Sequence, residues 1–505
     1  MMFNTEKKTK IVATLGPASD KKEIIQQLYD TGVNVFRLNF SHGTHESHGA
    51  LIDTIRSLNL NVGIMLDTKG PEIRVGEVRD KLHVTIGDKF KMTTDKGVYE
   101  DTGKLSVNYE GFSKDVNVGD IIVIDSGVIR AKCLSKDGND LEFQVIDGVC
   151  DITTKRHINL FGKPVSLPTV TEQDWKDIDF GIEKRVDFIA LSFVRKAEDV
   201  KNVKAYCVKK GANISIIPKI ENYESTENLE DIIKASDGVM VARGDLSCEI
   251  SFGMVPSMQK KMVALCSYYN KPVIIATQLV LSMVENIQPT RAEVSDVGNA
   301  VFEGADAIMT SDETTKGIHP VLVIQTMAKI ARESEESLYT LCGRQDCPSC
   351  FGILYQGRLQ RKGFESIVRP KPDKAVGDKI LKKYPCGHID HSTENMITLL
   401  PKVTRGVEAI GIVQNMKDYF TENASASRVD IPLFAFTNDI MTRNQLNLVW
   451  NVTPIYDANI KGDYNCDVDI IDKYMKDHGF KSYLFIGDVV YKNVKYPTVQ
   501  VRKLE

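Results

Sequence analysis

Between residue 10 and about residue 335 the chain alternates two patterns. Short, nearly continuous apolar runs are followed by longer stretches whose apolar positions recur at helical spacing. The runs are KIVATLG, VNVFRLNF, NVGIMLD, VDFIALSF, ISIIPKI, GVMVARGD, PVIIAT and ADAIMTS, eight in all. The stretches between them include DKKEIIQQLYDTG, AEDVKNVKAYCVKKG, NLEDIIKAS and TRAEVSDVGNAVFEG, and several end at Gly, the usual helix stop. A strand that is apolar at almost every position needs cover on both faces. Alternation with helices supplies that cover and predicts a parallel sheet. Eight such units predict an α/β fold of the (β/α)8 TIM barrel type.

The pattern breaks once inside the barrel. After MLDTKGPEIR, residues 75–162 lose helical spacing and become rich in Val, Ile, Thr, Gly and Asp, as in KLHVTIGDKFKMTT. That composition predicts a small β domain inserted after the third barrel strand. The barrel is then expected over 1–74 and 163–335. Residues 336–505 hold further strand candidates, GVEAIGIVQN, IPLFAFTND and KSYLFIGDV, and read as a separate α/β domain carrying an insertion.

Composition removes several function classes. A net charge of -4 on 505 residues gives no reason to expect nucleic acid or an anionic membrane as partner. The start, MMFNTEKKTK, lacks the apolar core of a signal peptide, and no apolar run approaches the roughly 18–20 residues of a membrane span. Ten scattered Cys read as reduced thiols, so a cytoplasmic location is expected.

In a barrel of this kind the site is built at the C-terminal ends of the strands. The polar residues just past each apolar run should therefore converge. They are Arg37, Asn39 and Ser41, then Asp67, Thr68 and Lys69, then Lys219 and Glu221, Asp245, Thr277, and finally Ser311 and Glu313. Lys219 and Glu221 are two apart and face the same way on an extended chain. Two carboxylates among oxygen donors suit Mg2+ or Mn2+ rather than zinc. Lys and Arg beside them suit an anionic substrate, above all a phosphate. Neither a P-loop nor a Gly-x-Gly-x-x-Gly turn follows a strand, so any nucleotide is held in another way.

The stretches TKIVATLGPAS, FRLNFSHG, MLDTKGPEIR, PKIEN, DGVMVARGDL, PVIIATQ and PTRAEVSDVGNAV, in this order over roughly residues 9–335, resemble pyruvate kinase. The resemblance implies a β-barrel lid on the barrel, a C-terminal regulatory domain and a homotetramer. It implies transfer of the phosphoryl group of phosphoenolpyruvate to ADP, giving pyruvate and ATP. By the same resemblance Lys219 is the catalytic lysine, and Glu221 and Asp245 are Mg2+ ligands. Arg37 grips the phosphate, while Gly244, Asp245 and Thr277 form the carboxylate pocket. Thr277 and Ser311 stand on the route that protonates the enolate. Asn39, Ser41, Asp67 and Thr68 correspond to a K+ site, and Glu72 accompanies K+ dependence where a Lys would replace the ion. Arg74 and Arg156, with His42 and Asn39, correspond to nucleotide contacts. Two other classes stay open here, a different metal-dependent barrel acting on a 2-oxo acid and a non-catalytic relative kept as a regulator or scaffold.

The chain departs from the family at Ser247 and Asp312, each where Gly is usual and backbone freedom is expected to matter. Cys347, Cys350, Cys386, His388 and His391 offer a loose metal-ligand spacing, with free thiols and exposed His as the alternative. The stretch VQNMKDYFTENAS stands where the family's effector loop is Ser/Thr/Gly-rich. A phosphate cradle needs several backbone N–H groups turned to one point, which small residues permit. Val413, Gln414, Asn415, Met416, Lys417, Asp418 and Tyr419 do not supply it. Fructose bisphosphate is therefore expected not to activate through this loop. Velocity against phosphoenolpyruvate with and without the sugar phosphate, together with calorimetry, checks this. A large fall in apparent KM with saturable binding would overturn it.

Overall fold

All eight apolar runs form parallel strands that close into one barrel. In chain order they are Lys10–Thr14, Val35–Asn39, Gly63–Asp67, Phe188–Leu191, Ser215–Ile220, Val239–Ala242, Val273–Ala276 and Ala307–Thr310. The computed structural model describes residues 7–341, 407–414, 421, 424–425, 431–491 and 494–504. Six of the eight strands are buried at every position, which is why they lack polar alternation. Neighbours run in sequence order, and the first strand pairs with the eighth to complete the ring.

The helical stretches fold as their spacing predicts, over Lys22–Thr31, Ala197–Lys209, Leu229–Ala235 and Arg291–Glu303. Gly32 ends the first of these at φ 122°, a conformation closed to most other residues. One boundary differs from the sequence pattern. The sixth strand stops at Ala242, and Arg243–Glu249 is already helical. Asp245 therefore sits in the first turn of a short helix, not on a strand end.

Residues between the third and fourth barrel strands make a seven-stranded sheet and a separate two-stranded one. The first and last strands of the larger sheet, Ile73–Arg74 and Lys104–Ser106, meet through a bridge between Val75 and Val107. That contact closes the sheet on itself around Phe90, Phe112 and Phe143. The segments entering and leaving this lid pair with each other, with His157 opposite Arg74 and Ile158 opposite Ile73. The lid thus stands on two paired strands.

The described residues divide into two compact units, and lid and barrel strands lie together in the larger. The smaller contains a five-stranded sheet in the order Val452–Tyr456, Leu433–Thr437, Ala409–Val413, Ser482–Tyr491, Val494–Lys503. Its pairs are parallel except the last, an antiparallel hairpin. Three of these strands match the apolar runs of the sequence. Cys347, Cys350, Cys386, His388 and His391 and residues 415–419 lie outside the described residues. Among the described residues no helix is long and apolar enough to cross a membrane.

Candidate active site

The parallel barrel brings the C-terminal ends of its strands to one face, and the charged residues gather there. Asp67, at the end of the third strand, is fully buried between two cations. Its Oδ2 accepts from Arg37 Nε at 2.5 Å, and its Oδ1 lies 3.4 Å from Lys219 Nζ. Arg37 is held a second time by Thr14 Oγ1 at 2.9 Å. Lys219 donates to Ser192 Oγ at 2.9 Å, and its Nζ lies 3.1 Å from Glu221 Oε2. Burial opposes the charge on Asp67, but Arg37 and Lys219 outweigh it and hold its pKa below the usual carboxylate value. Burial likewise opposes the Lys219 ammonium, and Asp67 with Glu221 overcomes it, raising its pKa above that of an ordinary lysine.

Glu221 is fully buried, and its Oε1 accepts the Phe193 N–H at 2.6 Å. Although Oε2 lies close to Lys219 Nζ, it makes no hydrogen bond, so the contact is a charge pair with poor angular geometry. Burial, helped by the like charge of Asp245 and opposed by Lys219, pushes the Glu221 carboxyl up to about 7. A buried oxygen with free lone pairs, facing a second acid, is the kind of donor a divalent cation satisfies. Among the described residues no group of three or more His, Cys, Asp or Glu is arranged to hold a metal ion by itself. Two carboxylates that leave the other positions to water or substrate oxygens fit Mg2+ better than zinc.

Three residues of the site have left-handed backbones, Phe193 at φ 53°, Thr277 at φ 68° and Gln278 at φ 53°. For bulky or β-branched residues this is strain of about 1–3 kcal/mol each. Arg243 holds the second pair. Its Nε donates to Ala276 O at 3.1 Å and its Nη2 to Thr277 O at 2.6 Å, while Nη1 pairs with Asp296 at 2.8 Å. The strain aims polar groups inward. Phe193 turns its N–H to Glu221, and Thr277 Oγ1 receives the Gly244 N–H at 3.0 Å. Phe193 also fixes Gly70, at φ 72°, where a Cβ would come within 2.5 Å of its ring.

The other expected site residues fall into four groups. Asn39, Ser41, Asp67 and Thr68 lie together at the ends of strands two and three, with Asn39 in register with Asp67. There Asn39 Oδ1 accepts the Ser41 N–H at 3.1 Å, and Thr68 Oγ1 accepts the Ser192 N–H at 3.0 Å. Glu72 lies between two cations, 2.7 Å from Arg74 Nη2 and 3.5 Å from Lys69 Nζ. Arg156 pairs with Asp125 inside the lid at 2.8 Å, and His42 is exposed. The N–H of Ser311 donates to the buried Glu313 at 2.7 Å. Thr14, Ser192 and Arg243 are absent from the sequence-derived roles. Thr14 and Ser192 close the first and fourth apolar runs, so the strand-end rule applied to all eight would have found them.

Ser247 and Asp312 do not occupy strained positions. Both lie in short helices with negative φ. Ser247 Oγ donates to Gly244 O at 2.7 Å, and Asp312 pairs with Lys316 at 2.8 Å. The requirement for glycine freedom expected at these two positions is absent.

A family model described as "Pyruvate kinase, barrel domain" matches residues 6–324. The chain belongs to the pyruvate kinase family. It is 45% identical over 341 residues to plastidial pyruvate kinase 3 of Arabidopsis thaliana, covering 66% of this chain and 59% of that protein. To pyruvate kinase of Sporosarcina psychrophila it is 46% identical over 339 residues, covering 66% and 58%. To that of Staphylococcus epidermidis the figures are 44% over 335 residues, 65% and 57%. The chain thus spans less than three fifths of the length of these pyruvate kinase relatives.

The Asp67 geometry carries a pH prediction. Its folded pKa lies below the unfolded value near 3.8, so its contribution is fully present above that pH and is lost progressively as pH falls from there through the lower folded value. Asp67→Asn leaves Arg37 without its carboxylate and should cost ~3–5 kcal/mol near neutral pH. Thermal melts of both proteins across pH should show the gap narrowing below pH 3.8. A gap independent of pH would contradict the assignment.

Proposed function

We propose that this chain is a pyruvate kinase, transferring the phosphoryl group of phosphoenolpyruvate to ADP. The observation that supports this most is the Lys219 ammonium at the strand ends, with Glu221 Oε2 and Asp67 Oδ1 both within 3.4 Å of its Nζ. In the reaction the bond from phosphorus to the enol oxygen breaks, and a bond to a β-phosphate oxygen of ADP forms. The enolate then takes a proton at its methylene carbon, giving pyruvate. Transfer of this kind asks the protein mainly for positioning and charge.

In this reading Lys219 is the preorganised charge beside the transferring group and the enolate. Its carboxylate neighbours keep it protonated at neutral pH, so it acts as a cation and not as a base. Arg37 grips the phosphoryl oxygens, its guanidinium fixed in place by Asp67 and Thr14. The N–H groups at Gly244 and Asp245, with Thr277, receive the substrate carboxylate. Thr277 and Ser311 lie on the path by which the enolate gains its proton. Glu221 and Asp245 would hold Mg2+ or Mn2+, which when bound neutralises negative charge developing on the phosphoryl group and enolate. Asn39, Ser41, Asp67 and Thr68 would hold K+, and Arg74, Arg156, His42 and Asn39 would meet ADP. We further propose the barrel as residues 1–74 and 163–335, the lid as 75–162 and the C-terminal domain as 336–505. A homotetramer in the cytoplasm is the proposed assembly and location.

Coupled pyruvate formation with phosphoenolpyruvate, ADP, Mg2+ and K+ tests the reading directly. Lys219→Met should lower turnover by about 10²–10³ or more while the protein still folds. Near-native pyruvate formation by that variant would remove Lys219 from its role. Rates in K+ and in a bulky organic cation at equal ionic strength should differ strongly, and Glu72→Lys should relax the difference. Equal wild-type rates in the two cations would dismiss the monovalent site.

A further inference from the structure

We propose that Glu249 is a positioning residue that joins the return strand of the lid to the two carboxylates assigned to the divalent ion, an inference that rests on the functional reading above. Glu249 closes the helix Arg243–Glu249 and is 8% exposed. Its Oε1 accepts from Asn159 Nδ2 and its Oε2 from the Tyr223 N–H, each at 3.1 Å. Its main-chain oxygen accepts the Gly162 N–H at 2.8 Å. Asn159 belongs to the strand His157–Leu160 by which the lid returns, and Gly162 follows it. Tyr223 is two residues past Glu221, and Asp245 lies one turn before Glu249 in the same helix. One carboxylate therefore ties together the lid, the segment after Glu221 and the helix of Asp245.

Two further observations favour this role over simple packing. Asn159 is 2% exposed, its amide donates only to Glu249 among the described residues, and its Oδ1 has no partner. A cavity of about 20 Å3, lined by His157, Asn159, Phe193, Arg195, Asn222 and Glu249, opens at the same junction. That is room for one ordered water. Ile158 and Leu160 of this strand pack into the lid core, whereas Asn159 borders the cavity, where its hydrogen bond to Glu249 ties the strand to the barrel. Burying the acid is also costly, since burial pushes its carboxyl up to about 7. A site needed only to fill space would be served better by an apolar side chain.

The test uses the lid side of the bond, because Asn159 bonds to neither Glu221 nor Asp245. Mn2+ binding to the full-length protein without substrates is followed by electron paramagnetic resonance, alongside hydrogen exchange and steady-state kinetics. Asn159→Ala should weaken Mn2+ binding about tenfold, the usual effect of losing an outer-shell partner. Exchange over residues 157–162 and 243–249 should quicken together. The Mg2+ concentration for half-maximal turnover should rise in step, with kcat at saturating metal little changed. Asn159→Ser, too short to reach Glu249, serves if the alanine variant does not fold. Glu249→Gln should also weaken binding, and combining it with Asn159→Asp should restore it, since acid and amide then exchange places. Unaltered Mn2+ affinity in the folded Asn159 variants, or no recovery in the folded double variant, would overturn the proposal. Wild-type protein that binds Mn2+ but forms no pyruvate would overturn the functional reading alone.

Discussion

Two cations, Arg37 and Lys219, share one buried carboxylate at the strand ends of the barrel, and the site is arranged around that sharing. Without Asp67, a guanidinium and an ammonium would face each other in a region of low dielectric, and one would leave or lose its proton. With it, both stay charged and fixed, yet together they carry more positive charge than Asp67 neutralises. Glu221 removes part of that excess, while Asp245 adds negative charge beyond it. The result is a face with cations and acids side by side, which suits an anionic substrate accompanied by a metal.

Charge alone does not hold these groups in place. Strained backbones at Phe193, Thr277 and Gln278 present N–H and hydroxyl groups that ordinary strand ends would not. The Arg243–Asp296 pair holds the Thr277 turn, and contact with the Phe193 ring leaves no room for a side chain at Gly70. Strain of this kind persists only where surrounding contacts over-determine it. Here those contacts come from neighbouring barrel strands and the helix after strand six. The same helix carries Asp245 at its start and Glu249 at its end, so one of the two acids proposed to hold the metal shares a short element with the lid junction.

The departures at Ser247 and Asp312 illustrate how local context changes a residue's meaning. Considered alone, replacing glycine suggests a lost turn or a blocked approach. In the fold Ser247 uses its hydroxyl to cap a carbonyl of its own helix, and Asp312 forms an exposed i,i+4 pair. Neither needs positive φ, so the neighbouring Asp245 and Glu313 keep their places.

The sequence by itself determined the eight strands, the inserted β domain and the face of the barrel on which charge collects. Those features rest on local periodicity and on strand direction, and both are written in neighbouring residues. KIVATLG could not be half-exposed, and Lys219 and Glu221 could not point to opposite sides of one extended strand. Tertiary structure alone decided which charges touch. Arg37 meets Asp67 across adjacent strands, Ser192 inserts between Asp67 and Lys219, and Glu249 reaches Asn159 ninety positions away in the chain. It also decided that the sixth strand ends at Ala242, and that Phe193 and Thr277 adopt left-handed turns. Such contacts depend on register and loop path across the closed barrel, and no run of consecutive residues encodes them.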